Sequence, residues 1–190
     1  MQLSSQNSEI LLDLAADLIR RELTPAPRPP VFPQDPVLRQ PAGCFVSLHE
    51  HTTHNLRGCI GTLQSDRPLL ETLAAACTGV LKDPRFTHHP VTIHDLPQLE
   101  LEITVLEKMQ PVPTPLDFEP RTHGIYLKIN ERAGCFLPQV ARETGWTREQ
   151  LLARLCTEKL GLPPESWRSP AANMAVFNAQ VIGPRPFFPG

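Results

Sequence analysis

Proline limits what this chain can fold into more than any other feature. There are 22 prolines among its 190 residues, about twice the ordinary share of roughly 5 %. Each fixes φ and removes a backbone donor, which keeps proline out of helix interiors and central strands. Regular structure is therefore confined to the short stretches between prolines, and three of these have helical spacing. In the first, Ile10, Leu11, Leu14, Ala15, Leu18 and Ile19 share one face behind a Ser8 cap, and the helix ends near Glu22 ahead of Pro25. The second follows Asp66, with Pro68 in its first turn and Leu69, Leu70, Leu73, Cys77, Val80 and Leu81 on one side, and stops at Asp83 before Pro84. The third begins at Thr147, which forms a capping box with Gln150 and a hydrophobic staple between Trp146 and Leu151. Gly161 closes it, reinforced by Pro163 and Pro164.

Between the helices lie strand patterns. Residues 43–48 and 57–63 read as two strands joined by a polar loop that carries His49, His51 and His54. Residues 99–106 alternate, with Leu99, Leu101, Ile103 and Val105 on one face and Glu100, Glu102 and Thr104 on the other, which predicts a half-buried strand. Ile125, Leu127 and Ile129 alternate likewise, and residues 174–182 read as a final strand. This irregular interleaving with hairpin-like spacings predicts an α+β fold with an antiparallel sheet. Residues 24–41, with seven prolines, read as an extended strap docked through Val31, Phe32, Val37 and Leu38. The strap is part of the domain and no repeat occurs, so residues 1–190 read as one domain.

Composition narrows the function. Eighteen Lys and Arg against 20 Asp and Glu leave a net charge of −2, which gives no electrostatic footprint for nucleic acid or an anionic membrane. No apolar run approaches the roughly 20 residues that span a bilayer. The N-terminus lacks the basic start and apolar stretch of a signal peptide, so a cytoplasmic location is expected. Five cysteines, at 44, 59, 77, 135 and 156, fit free thiols in a reducing compartment. There is no Cys-x-x-Cys pair, Gly-x-Gly-x-x-Gly fingerprint, P-loop or radical-SAM cysteine triplet, so no metal site and no cofactor are expected.

The segment Leu-Arg-Gly-Cys-Ile-Gly-Thr at 56–62 concentrates the chemistry. In an extended strand Arg57 and Cys59 point to the same face, where a guanidinium favours the thiolate. Gly58 and Gly61 allow a positive φ or the close approach of a ligand. The same spacing also suits a strand-borne cysteine acting as a small apolar residue. Three further segments offer polar groups. Glu100 and Glu102 share a strand face, suited either to acid–base work or to solvent. Asp83 and Arg85 flank Pro84, where Arg85 either clamps an anion or pins the turn. Gln139 after Pro138 is an amide placed for a ligand or for the backbone of that bend. The histidine loop has a spacing too loose to define a metal site.

The 56–62 segment resembles the signature of the AMMECR domain family, whose bacterial members are named AmmeMemoRadiSam system protein A. Segments 43–48, 83–86, 99–106, 123–125, 136–140 and Cys156 with 159–162 match in the same order, over roughly residues 8 to 182. The resemblance implies a main antiparallel sheet flanked by helices, with a smaller lobe and a cleft between them. It also implies a pathway shared with a Memo-like, dioxygenase-like protein and a radical-SAM enzyme, as partners. His123 matches a His-Gly pair of the family, and Glu102 lies deep in a matching segment. The resulting expectation is an enzyme acting on a small molecule, a transferase or hydrolase. Cys59 is its nucleophile, His123 its acid–base group and Glu102 the group that orients or assists. Arg57, Gly58, Gly61, Arg85 and Gln139 are the substrate-binding residues. The alternative is a non-catalytic module that binds those partner proteins or their product.

Overall fold

The computed structural model describes residues 2–24 and 29–188. The chain folds into two compact units, the first made of residues up to 106 and from 180 onward, the second of residues 107–179. Unit 1 is built on β1 (Gly43–Glu50), β2 (Leu56–Thr62), β3 (Leu99–Leu106) and β8 (Ala179–Pro186), in the sheet order β2–β1–β3–β8. Its helices are α1 (Ser5–Glu22) and α2 (Leu69–Val80).

Helix α1 starts one turn earlier than the spacing predicts. Ser4, not Ser8, is the cap, and its hydroxyl accepts the Asn7 N–H at 3.1 Å. The added turn is Ser5, Gln6 and Asn7, which carries no apolar residue to extend the periodic stripe. Leu11, Ala15 and Ile19 are fully buried, and Arg20 and Arg21 in the last turn complement the helix dipole. Helix α2 ends at Val80, and a short 3₁₀ turn follows at Pro84–Phe86.

One face of the sheet carries Cys44, Val46 and Leu48 with Leu101, Ile103 and Val105, all within the core shared with α1 and α2. The opposite face carries Ser47, Cys59, Glu100, Glu102 and Thr104. Strand β3 departs from the half-buried expectation, because Glu100 and Thr104 on this second face are buried as well. In the strap, Leu38 is fully buried and Phe32 and Val37 pack on the core, but Val31 is 84 % exposed, contrary to expectation. Residues 25–28 of the strap lie outside the described residues.

Unit 2 holds β4 (Gln110–Pro111), β5 (Gly124–Ile129), β6 (Arg132–Phe136) and β7 (Ala172–Phe177), in the order β4–β7–β5–β6. Helix α3 (Pro138–Thr144) precedes α4 (Arg148–Arg154), which continues into a π-helical turn at Leu155–Leu160. The Thr147–Gln150 capping box forms, and Gly161 ends the helix in the left-handed region. Leu127, Leu152, Leu155 and Cys156 are fully buried, and Trp167 nearly so.

The single strand expected at 174–182 is two strands in different sheets, β7 and β8, separated by Asn178. No proline or glycine falls between Met174 and Ile182 to mark the change. The chain thus leaves unit 1 at the end of β3 and returns at the start of β8, its neighbour in the sheet. At that junction the Glu107 N–H donates to the Asn178 carbonyl at 2.9 Å, and the Asn178 amide donates to the Glu107 carboxylate at 2.8 Å. The fold is α+β with two four-stranded antiparallel sheets. Among the described residues no helix is long and apolar enough to cross a membrane.

Candidate functional site

Strand β2 is an edge strand, and Cys59 sits at its middle. In the register, Cys59 faces Ser47 on β1 and Ser47 faces Glu102 on β3, so the three side chains form one row on the face away from the helices. The Ser47 hydroxyl donates to the Cys59 sulfur at 3.2 Å. Ser47 is buried, whereas Cys59 and Glu102 are half-buried.

An edge strand leaves every second peptide without a strand partner. At Cys59 the 83–86 turn fills that gap. The Cys59 N–H donates to Asp83 Oδ2 at 2.9 Å, and Arg85 Nη2 donates to the Cys59 carbonyl at 3.0 Å. The two side chains are themselves joined, Arg85 Nε to Asp83 Oδ1 at 3.0 Å and Nη2 to Oδ2 at 2.6 Å. The Asp83 side chain is wholly buried. The Arg85 guanidinium, helped by the amides of Cys59 and Arg85, holds its carboxyl well below the usual range against the opposing effect of burial. Asp83 in turn raises the pKa of Arg85, with smaller contributions from the Cys59 side chain. Arg85 therefore pins the turn, and the fork expected to clamp a ligand is filled by Asp83.

Arg57 is placed differently from the sequence expectation. Leu48 pairs with Gly58 and His49 with Leu56, so Arg57 is the extra residue of a β-bulge. The bulge interrupts the two-residue alternation on which the Arg57–Cys59 pairing rested. Arg57 is buried, and its guanidinium meets Glu50 at 3.7 Å and the His89 carbonyl at 3.3 Å. The cation that reaches Cys59 is Arg85. Neither Gly58 nor Gly61 takes a positive φ. A Cβ on Gly58 would lie 2.7 Å from the Val80 carbonyl, and one on Gly61 would run into the backbone of Cys44 and Phe45. Both glycines thus serve close packing of β2 on its own unit.

Glu100 is buried, which overturns the solvated reading of that strand face. Its carboxylate oxygens face His54 Nδ1 at 3.1 Å and His51 Nδ1 at 3.4 Å, so the loop histidines turn to Glu100. No group of three or more His, Cys, Asp or Glu among the described residues is arranged to hold a metal. A groove of about 320 Å³ runs along β2 and α2, lined by residues such as Ile60, Gly61, Arg67 and Thr72, but Cys59 does not line it.

His123 and Gln139 belong to unit 2, so they are not among the groups that unit 1 itself brings to Cys59. His123 Nδ1 accepts the Glu119 N–H at 3.1 Å, which fixes the proton on Nε2 and gives the ring a role in its own turn. Gln139 lies in the first turn of α3, with its Oε1 buried and unpartnered among the described residues. The remaining thiols are all shifted upward. Burial pushes Cys44 up to about 12 and Cys77 higher still, and also raises Cys135 and Cys156.

Sequence reading overlooked Ser47 as a site residue. The signal was available, because aligning the two strands of the 43–62 hairpin places it opposite Cys59. The sequence model of the AMMECR1 family matches residues 12–182. Protein MK0488 of Methanopyrus kandleri is 34 % identical over 95 % of this chain and 90 % of its own length. Protein MJ0810 of Methanocaldococcus jannaschii is 35 % identical over 77 % of this chain and 75 % of its own. The crystal structure of the uncharacterized protein PH0010 from Pyrococcus horikoshii superposes with a TM-score of 0.82 at 29 % identity, covering 95 % of this chain and 93 % of that one. With the ordered motifs, the fold and these relatives in agreement over most of its length, the chain belongs to the AMMECR1 family.

Proposed function

We propose that the protein is an enzyme of small-molecule transfer or hydrolysis in which Cys59 bonds transiently to its substrate. One observation carries this reading. Cys59 is half-buried on a sheet edge, with a hydroxyl on its sulfur and a guanidinium on its peptide, whereas Cys44, Cys77 and Cys156 are buried. In the first step the thiol proton passes through solvent to Glu102, while the Ser47 hydroxyl donates to the sulfur and steadies the thiolate. The sulfur pair forms a bond to the electrophilic carbon, and the leaving group departs with its bonding pair and takes up that proton. Water then bonds to the same carbon, the C–S pair returns to sulfur, and the water's proton restores the thiol. Five unpaired cysteines fit a reducing, cytoplasmic setting, and the pathway implied by the family resemblance would supply Memo-like and radical-SAM partners.

A brief iodoacetamide pulse at neutral pH, read by peptide mass spectrometry with Cys59→Ser as control, tests the reading. Cys59 is expected to be alkylated fastest of the five. If it reacts no faster than Cys135, the other half-exposed thiol, the nucleophile reading fails. The row on β2, β1 and β3 is then a recognition surface for partner proteins or their product.

A further inference from the structure

We propose that the electrophile met by Cys59 carries an anionic group, a carboxylate or a phosphate, seated on the outer nitrogen of Arg85. The inference rests on the reading of Cys59 as a reactive thiol and names the class of molecule it acts on.

Arginine has five N–H donors in a fixed plane. Here Nε and Nη2 are taken by Asp83 and by the Cys59 carbonyl. Nη1 makes no hydrogen bond with the described residues, and the Arg85 side chain is 56 % exposed while that of Asp83 is wholly buried. The pair is therefore oriented, with its carboxylate inward and its guanidinium outward beside the thiol. The Phe86 ring lies 5.6 Å from the guanidinium carbon, which steadies its plane. Asp83 thus serves as an anchor that fixes the cation in place, and two charge-assisted donors remain for a ligand.

The surrounding charges leave this donor pair dominant. On β1 the group nearest Cys59 is the neutral Ser47 hydroxyl. Glu102 stands two strands away in the same row, roughly 9–10 Å across the sheet. Arg57 and Glu50 on the same sheet pair with each other, and Glu100 pairs with His51 and His54. A neutral substrate would leave the two N–H groups of Nη1 to water. An anionic one would use both while its reactive carbon lies over the sulfur.

Iodoacetate and iodoacetamide separate the two cases, because they offer the same carbon with and without a carboxylate. In both, an S–C bond forms and iodide leaves with the C–I pair. The quantity read is the ratio of their rates at Cys59, divided by the same ratio for the chain unfolded in urea. The normalised ratio is expected to exceed unity by roughly two- to fivefold, the scale of a partly exposed charge interaction. It should fall towards unity in high salt and in Arg85→Gln, and persist in Arg85→Lys. A ratio of unity at a fast-reacting Cys59 overturns the anionic assignment and leaves the reactive thiol standing. A Cys59 that reacts with neither reagent overturns both. The salt series needs only the unmodified protein, so a poorly folded Arg85→Gln does not blunt the test.

Discussion

Among the described residues, unit 1 buries six polar or charged side chains, Ser47, Arg57, Thr72, Asp83, Glu100 and Thr104, and unit 2 buries none. The contrast separates two ways of holding an α+β layer together. Unit 2 closes on a core of apolar side chains, with Leu127, Leu152 and Leu155 wholly enclosed. Unit 1 has a comparable apolar core against its helices, yet it also encloses polar groups on the other sheet face, in α2 and in the turn after it, whose burial costs about 1–3 kcal/mol each when left unbonded. Most of them are bonded: Asp83 to Arg85 and Cys59, Glu100 to two histidines, Ser47 to the Cys59 sulfur. Arg57 Nε is the exception, buried without a partner among the described residues. Stability alone is better served by the arrangement in unit 2, and the polar face of unit 1 is where the proposed chemistry would act.

Substitutions can break or sharpen this contrast. The largest effect is expected in unit 2, where Leu152→Ala removes a fully buried side chain. It should lower unfolding stability by about 3–4 kcal/mol, measured by urea titration. A loss below 1 kcal/mol would mean that unit 2 is not held by its apolar core. Next is Asp83→Asn, which weakens charged hydrogen bonds to Arg85 and Cys59 and should cost about 2 kcal/mol at neutral pH. The native Asp83 pKa lies below its unfolded value, so between the two the unfolded chain binds more protons. The contribution of Asp83 is therefore full above about pH 4 and fades as pH falls below it. The variant should flatten the acid limb of a stability–pH profile, and an unchanged limb would remove Asp83 as the anchor. The last comparison separates the thiols and ends on the smallest effect. Cys77→Ser places a hydroxyl in a fully buried site and should cost about 1–3 kcal/mol. Cys59→Ser should stay within about 0.5 kcal/mol of the parent. Equal costs in thermal unfolding would make Cys59 a core residue like the others.

The sequence carried most of the fold and less of how the polar groups around Cys59 are arranged. Periodicity and punctuation located α1, α2, α4 and strands β1, β2 and β3, because proline, glycine, capping residues or a polar loop mark many of their ends. What escaped notice has no local signature. The bulge at Arg57 depends on the pairing of β1 with β2, so the guanidinium beside Cys59 is Arg85, 26 residues away in the chain. Glu100 reads as solvent-facing by alternation but is buried, and its carboxylate meets histidines from a loop whose path alternation does not describe. The π-helical turn at Leu155–Leu160 and the change of sheet at Asn178 follow from tertiary packing, with no residue type that announces them.

The placement of β3 and β8 as neighbours bears on how the chain reaches its fold. Residues 107–179 are, in effect, the turn of a β-hairpin, and as a loose turn they would oppose its closure by an entropy that rises with the logarithm of loop length. Once unit 2 has folded, the hydrogen-bonded pair of Glu107 and Asn178 holds the two ends of that turn side by side. The long loop then behaves as a short one. If the second unit forms first, its assembly lowers the loop-closure cost of pairing β8 with β3.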